Sequence, residues 1–240
     1  MNWQLSVLSV AGLYWQRLPN KLDKGVGTIT EHQKTFFKLI SERSDLEQSA
    51  VDAKKTDPVQ QLAELKEICL QCLRCSLREG CQQVVFGDGN PQARLMLIGE
   101  GPGADEDRMG VPFVGRAGRL LDNILAASAI KREEVYIANV VKCRPPANRA
   151  PFPAETEACL PYLEEQIKLI DPQIIICLGA SATRTIMDKN AAITRYRGQW
   201  HEKDGRFYIA TFHPAALLRD PGKKKDVWED LKKVIDRYNQ

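Results

Sequence analysis

Four cysteines in two widely separated pairs are the residues of this chain whose spacing most clearly indicates chemistry. Cys72 and Cys75 form a Cys-x-x-Cys pair, and Cys143 and Cys159 follow far downstream. Two such pairs supply four thiolates, the ligand number of a tetrahedral zinc ion or of an iron–sulfur cluster. The pairs flank a Gly-Glu-Gly-Pro-Gly loop at 99–103, so this loop is where further chemistry is expected.

The elements that must position these residues can be read from the apolar pattern. Continuous apolar runs alternate with helical patterns, which indicates a parallel sheet covered by helices on both faces. We therefore predict an α/β fold, a three-layer α/β/α arrangement around a central four-stranded parallel sheet, in a domain spanning residues 59–240. The four predicted strands are 94–99, 135–141, 173–178 and 207–212.

Three polar residues lie at or near the carboxyl ends of the predicted strands, where such folds bind their ligands. Glu100 follows the first strand, Asn139 lies near the end of the second, and His213 follows the fourth. Each has an ordinary alternative: a solvated acid in a turn, a turn-forming amide and a helix-capping histidine. Phe113, on a loop braced by Gly and Pro, is either a core anchor or a platform for stacking.

Composition limits the classes of function. The chain has 240 residues, 43% of them hydrophobic, and 34 basic against 31 acidic residues leave a net charge of only +3. Binding to nucleic acid would therefore depend on local basic clusters. Seven cysteines without a convincing export signal indicate thiols or metal ligands in a cytoplasmic protein.

The first 58 residues differ from the rest of the chain. Residues 20–60 are polar and charged, and they contain no cluster of catalytic type. An apolar run at 5–15 is too short to span a bilayer, so no membrane association is expected. We predict that 1–58 is a helical or partly disordered extension, which offers a surface for a protein partner.

In their order and spacing, these motifs resemble one family, the iron–sulfur uracil-DNA glycosylases, which are family 4 of the uracil-DNA glycosylase superfamily. The resemblance covers residues 60–236 and excludes the extension. It is carried by the paired cysteines, the 99–103 loop, Glu106-Asp107, Pro112–Gly115, the Cys-Arg-Pro-Pro-Ala-Asn-Arg segment at 143–149, Leu178-Gly179 and the His-Pro-Ala-Ala-Leu-Leu-Arg segment at 213–219.

The resemblance implies a [4Fe–4S] cluster bound by Cys72, Cys75, Cys143 and Cys159. Cys69 creates an alternative register, because Cys69 and Cys72 are also a Cys-x-x-Cys pair. The Cys-x-x-Cys-x-Leu form of the family favours Cys72 and Cys75. The remaining two cysteines, Cys81 and Cys177, are expected to be structural.

The resemblance also implies a reaction, in which uracil is flipped out of single- or double-stranded DNA and hydrolysed from its sugar, leaving an abasic site. Phe113 would stack on the extruded base, and Asn139 would bind its N3–H and O4 edge. His213 would donate a hydrogen bond to O2 as negative charge develops there. The backbone N–H groups of Glu100 and Gly101 would assist.

Two carboxylates have implied roles beside the base. Glu100 would orient the attacking water and balance the positive charge of the sugar. Glu106 would lie near C5 of the base or near the water, and would help to exclude the methyl group of thymine.

Contacts to the DNA are implied for a further set of residues in a monomeric protein. Leu217, in a pair of leucines expected to be exposed, would fill the space that the flipped base leaves. The side chain of Ser181 and five arginines would meet phosphates; these arginines are Arg116, Arg144, Arg149, Arg197 and Arg219.

There are two alternatives to a hydrolase. A covalent uracil-binding branch of the superfamily carries a reactive histidine in an arginine-rich insert, but residues 128–134 contain no histidine. The other alternative is a metal-stabilised nucleic-acid-binding module without enzymatic activity. An assay of uracil excision separates that module from an enzyme.

Overall fold

The structure is a computed structural model that describes residues 57–240. The prediction for the N-terminal extension therefore lies outside the described residues, except at its end, where the first described helix begins at Pro58. Asp57 caps this helix by accepting a hydrogen bond from the Val59 N–H at 3.2 Å. The boundary after residue 58 stays a prediction.

A sheet of six strands in the order β1-β3-β2-β4-β6-β5 forms the centre of the fold. Strands β2, β3, β4 and β6 pair in parallel and confirm the four predicted strands. The strands are β1 (Asp88–Gly89), β2 (Leu95–Gly99), β3 (Tyr136–Asn139), β4 (Ile174–Leu178), β5 (Trp200–Lys203) and β6 (Arg206–Thr211).

The predicted number of strands was wrong, because two edge strands pair antiparallel to the central four. β1 pairs with β3 over only two residues, and β5 pairs with β6. The residues of β5, Trp-His-Glu-Lys, are half-buried or exposed. An edge strand that is partly solvated has no continuous apolar run, so the pattern used for the central strands could not find it.

Helices cover both faces of the sheet, as predicted for three layers. The residues of β2 alternate between these faces, with Met96 and Ile98 in one core cluster and Leu95 and Leu97 in the other. The helices are α1 (Pro58–Leu70), α2 (Leu77–Gly80), α3 (Ala104–Met109), α4 (Arg116–Ala127), α5 (Pro153–Ile170), α6 (Gly179–Ile186), α7 (Ile193–Tyr196), α8 (Pro214–Arg219) and α9 (Lys223–Tyr238), with short 3₁₀ turns at Arg132–Glu134 and Pro146–Asn148.

Each face has its own core. Helices α1 and α5 supply Leu62 and Leu163 to one cluster. Helices α4 and α9 supply Leu121 and Leu231 to the other. Within residues 57–240, no helix combines the length and apolar character needed to cross a membrane.

Candidate active site

A cavity of about 640 Å³ lies at the carboxyl ends of the parallel strands. It brings together Glu100 after β2, Asn139 at the end of β3 and His213 after β6. Phe113 also lines this cavity, as do Gly101, Glu106, Ser181, Arg149 and Arg219. The structure thus gathers nine of the predicted site residues around one space large enough for a small organic ligand.

Asn139 is the residue of the cavity whose polar group most clearly lacks a partner. Its side chain is 2% exposed, and its Oδ1 atom is buried without a hydrogen bond. The other such atoms of the described residues belong to Arg78, His201 and Arg206, which do not line the cavity. Since an unpaired buried acceptor is costly, this oxygen indicates a ligand that donates an N–H there.

Gly99 allows the amide to reach its place. A Cβ atom at this position would lie 2.4 Å from Oδ1 of Asn139 and 2.7 Å from the ring of Phe113. Both distances are far below normal contact. The glycine at the end of β2 is therefore required by the packing of the two side chains that face the cavity.

Phe113 is held in a backbone conformation that is unusual for an aromatic residue. Its φ angle is 53°, in the left-handed region that costs free energy for residues other than glycine. The guanidinium of Arg132 fixes the loop by donating to the carbonyls of Pro112 at 2.7 Å and Phe113 at 3.2 Å. The ring centre lies 5.4 Å from that of His213, with 31° between the ring planes.

The surroundings of His213 define its protonation state. Its Nδ1 atom accepts a hydrogen bond from the Ala215 N–H at 3.1 Å. Enclosure of the ring lowers its pKa to about 4, and the positive charge of Arg219 acts in the same direction. The imidazole is therefore neutral near pH 7, and its one proton lies on Nε2.

Glu100 is a half-buried carboxylate whose pKa is raised above its usual value because burial disfavours the charged form. The neighbouring Ser181 side chain and the Arg219 charge oppose this effect. A raised pKa on a carboxyl group that faces a cavity is typical of acid–base catalysis.

Glu106 differs from Glu100 because its oxygens are already occupied. Oε2 accepts from the Gly103 N–H at 3.1 Å. Oε1 accepts from the N–H groups of Val114 at 3.0 Å and Gly115 at 2.8 Å. These bonds tie the loop after β2 to the loop that carries Phe113, so the contacts of Glu106 are those of a positioning residue.

Two of the five arginines assigned to phosphates are held by buried carboxylates instead. Arg149 makes a bidentate pair with Glu155 at 2.7 and 2.8 Å. Arg197 contacts Asp230 at 2.9 Å and 3.1 Å, and is 20% exposed. The charge of Arg197 thus neutralises Asp230 inside the fold, and this pairing does not favour the predicted phosphate contact, which stays a prediction.

Other predicted phosphate contacts have places near the cavity. Arg219 lines it and is exposed, and Arg116 is exposed beside Ala117, which lines it as well. Arg144 is half-buried and donates to Oδ1 of Asn148 at 2.9 Å. Their roles toward DNA stay predictions.

The two leucines of helix α8 have different environments. Leu217 is 2% exposed and packs in the core cluster, whereas Leu218 is 40% exposed. The expectation that Leu217 is exposed was wrong. Consecutive helix positions point about 100° apart, so only one of two adjacent leucines can face the core here.

The predicted metal ligands also come together. Cys72, Cys75, Cys143 and Cys159 line a small cavity of about 20 Å³, and Cys69 lines it too. All the described cysteines are free thiols. Among these residues no group of three or more side chains is arranged to hold a single metal ion.

Burial disfavours the charged form of three of these thiols. Burial raises the pKa of Cys69 to about 12, and it also raises the pKa of Cys143 and of Cys159. The side chain of Cys81 adds to the rise at Cys143 through a hydrogen bond. Six of the seven cysteines are therefore near one another.

Lys142 is a functional candidate that was not predicted from the sequence. It is 1% exposed, and its Nζ atom donates to the Asn139 carbonyl at 2.9 Å and to Gln166 Oε1 at 2.5 Å. Burial lowers its pKa to about 8, while the thiols of Cys159 and Cys69 raise it. A lysine between Val141 and Cys143 at the end of an apolar run was the available signal.

The sequence of this chain is similar to those of known proteins over the region that forms the cavity. The family profile of the uracil DNA glycosylase superfamily matches residues 86–232. The chain belongs to the uracil DNA glycosylase superfamily. The match includes every residue that lines the cavity in the description above, and it excludes Cys72 and Cys75.

Individual relatives extend the superfamily match toward the N-terminus. A type-4 uracil-DNA glycosylase of Thermotoga maritima is 46% identical over 181 residues, which are 71% of this chain and 93% of that protein. Those of Sulfurisphaera tokodaii and Archaeoglobus fulgidus are 42% and 40% identical, over 72% and 73% of this chain and 83% and 92% of theirs.

Proposed function

We propose that this protein is a DNA-repair uracil-DNA glycosylase, which hydrolyses the bond between uracil and deoxyribose and leaves an abasic site. The names of the relatives support this activity. The observation that carries the proposal is the buried, unpaired Oδ1 of Asn139 in the cavity. We further propose that the protein acts as a monomer in the cytoplasm.

Uracil has the donor and acceptor groups that this cavity requires. Its N3–H would donate to Oδ1 of Asn139, and its O4 would accept from the amide nitrogen. Cytosine carries an amino group at position 4 and no proton on N3, so both bonds would be lost. The ring of Phe113, fixed by its loop, would stack on the base.

His213 would act on the leaving group as a neutral donor. Because its Nδ1 atom already accepts from Ala215, the available group is Nε2–H, which we assign to O2 of uracil. Negative charge accumulates on O2 as the glycosidic bond breaks, so this bond strengthens in the transition state. The N–H of Gly101, which also lines the cavity, would contribute to the same stabilisation.

Glu100 is the carboxylate that we assign to the attacking water. Its raised pKa and its place on the cavity wall favour accepting a proton from water. We assign to Glu106 the alignment of the Phe113 loop, since its oxygens are occupied by three backbone N–H groups.

We propose that Cys72, Cys75, Cys143 and Cys159 hold an iron–sulfur cluster. In a four-iron cluster each thiolate binds a different iron, so this assignment does not need a site for a single ion. Lys142 fits such a group, because a buried ammonium next to Cys159 and Cys69 would balance the negative charge of thiolates. When bound, the cluster would cross-link the segment before α2 to the loop after β3 and to α5.

On the DNA-facing surface we propose Leu218 as the residue that fills the space left by the flipped base. It is exposed on α8, next to Arg219 on the cavity wall. Arg116, Arg219 and Ser181 remain our assignments for phosphate contacts.

Excision from oligonucleotides by wild type and Asn139→Asp tests the function. Wild type should release uracil and leave cytosine in place. Asn139→Asp should excise uracil more slowly and lose about 1–3 kcal/mol of discrimination against cytosine, because the amide donor to O4 is removed. A wild-type protein that releases no uracil would make the non-enzymatic nucleic-acid-binding module the better account. Unchanged selectivity of the variant would remove Asn139 from base recognition.

A further inference from the structure

The loop between Cys143 and helix α5 presents an aromatic ring to solvent beside the cavity. Phe152, the residue before α5, is 58% exposed. Pro145, Asn148 and Arg149 of the same loop line the cavity. Phe152 does not line the cavity itself, but its ring contacts Arg149, which does. An exposed apolar ring next to the cavity wall is a candidate for contact with the part of the ligand that stays outside.

The ring of Phe152 has a fixed place on the protein. The guanidinium carbon of Arg149 lies 3.8 Å from the ring centre. Arg149 is itself held by its bidentate pair with Glu155, which is 4% exposed. The N–H of Phe152 donates to the same carboxylate at 2.7 Å, so both the backbone and the ring of this residue are anchored.

The charge of the loop selects the kind of ligand. Arg149 of the loop is already paired with Glu155. The positive charges of Arg144 in the loop and of Arg219 on the cavity wall make no ion pair within the described residues. Aromatic rings among cationic side chains are the usual surface for single-stranded nucleic acid, in which bases stack while phosphates meet the cations. An apolar protein partner would leave these charges without a role.

We propose that Phe152 is a stacking site for a base that neighbours the flipped uracil in the same strand. This inference rests on the proposed function, because the flipped uracil defines where the neighbouring base lies. Phe152 thereby becomes a DNA-binding residue of the rim, separate from Phe113, which lies inside the cavity and is 5% exposed.

The test measures binding of oligonucleotides in which one base at a time is replaced by an abasic spacer on either side of a non-cleavable uracil nucleotide. Removing the stacked base should weaken binding by wild type about tenfold. Phe152→Ala should show the same loss on the intact oligonucleotide and no further loss with that one spacer. Phe152→Trp should restore the affinity and the response to the spacer.

Trp228→Ala is the matched control, since Trp228 is 41% exposed and does not line the cavity; its binding should equal that of wild type. Single-turnover excision by Phe152→Ala at saturating DNA should stay within about twofold of wild type, because the cavity is unchanged. Equal binding by Phe152→Ala and wild type, or losses that multiply at every spacer position, would overturn the proposal. A loss of binding by Trp228→Ala as large as that by Phe152→Ala would also overturn it. Failure of wild type to release uracil would instead count against the proposed function.

Discussion

The base cavity and the cysteine site are connected by one short segment, residues 139–143, and they are built in opposite ways. The cavity measures about 640 Å³ and contains a buried oxygen without a partner. The cysteine site encloses about 20 Å³, and the buried Lys142 beside it has its hydrogen bonds made. Open space with unsatisfied groups suits a substrate that enters and leaves, whereas enclosure suits a group that remains bound.

Lys142 is where the two regions meet. Its ammonium donates to the Asn139 carbonyl at 2.9 Å, and its backbone N–H donates to Sγ of Cys159 at 3.3 Å. We therefore expect the effect of a substitution to pass from the cysteine site to the cavity and not in the reverse direction. Damage to the cysteine site should impair folding and with it the cavity, whereas changes in the cavity should leave the cysteine site intact.

The largest expected effect comes from the cysteine site. Cys72→Ala should lose the iron and much of the folded protein, because metal binding and folding are coupled. Wild type should be brown and contain about four irons per chain. The measurements are iron content, the visible spectrum and thermal unfolding.

Cys69→Ala provides the matched control, since Cys69 lines the same small cavity but is not an assigned ligand. It should retain iron. Loss of iron from Cys69→Ala, with iron kept by Cys75→Ala, would show that the ligand register begins three residues earlier. A colourless, fully active wild type with one zinc would refute the cluster assignment.

The next effect separates the cavity from the cysteine site. His213→Ala should lower single-turnover excision about 10²–10³-fold, or roughly 2.7–4 kcal/mol, the usual cost of removing one donor to a developing oxyanion. Binding of DNA and iron content should remain, because the donor acts mainly in the transition state. Near-normal turnover by the variant would exclude His213 as that donor.

A third prediction concerns the adjacent leucines of α8. Leu217→Ala should lower the free energy of unfolding by about 2–5 kcal/mol, because it opens a cavity in the core. Leu218→Ala should leave stability nearly unchanged and slow excision from duplex DNA more than from a single strand, in which no stack has to be reopened. Thermal unfolding and single-turnover rates on both substrates measure this. Equal losses on both substrates for Leu218→Ala would remove it as the residue that replaces the flipped base.

The same leucines show where prediction from sequence ends. Buried parallel strands produce continuous apolar runs, so the four central strands and the polar residues at their ends, such as Asn139 and His213, could be predicted. Leu217 and Leu218 are chemically identical neighbours, and only the packing of α8 determines which one is buried. The ion pairs of a folded protein cannot be read from its sequence either. Arg197 is a residue type that commonly contacts DNA, but the fold places Asp230 beside it.

Lys142 shows the converse case. A lysine is expected at the surface, and in sequence it is only one letter of a basic motif. Its role became visible from the contacts of its ammonium group, which depend on the distant Gln166 of α5. Long-range hydrogen bonds of this kind leave no local pattern in a sequence.

The smallest expected effect is a pH dependence that should be nearly absent. A histidine with a pKa near 6.5 would be half protonated at pH 6.5. Protonation of Nδ1 would remove the acceptor of the hydrogen bond from the Ala215 N–H. Because enclosure lowers the pKa of His213 to about 4, the neutral donor should persist from pH 7.5 to 5.5. In a Glu100→Gln background, which removes the carboxyl group assigned to the attacking water, single-turnover excision should vary less than about twofold over this range. Stability, unlike the rate, should depend on pH. The pKa of His213 is about 4 in the folded protein and near 6.5 in the unfolded chain, so between these values the unfolded chain binds the proton more readily. His213 should therefore lower the free energy of unfolding as the pH falls through that window. A tenfold loss of rate per pH unit below 6.5 in that background would show that the imidazole titrates normally, and that the cavity does not hold it as the neutral donor.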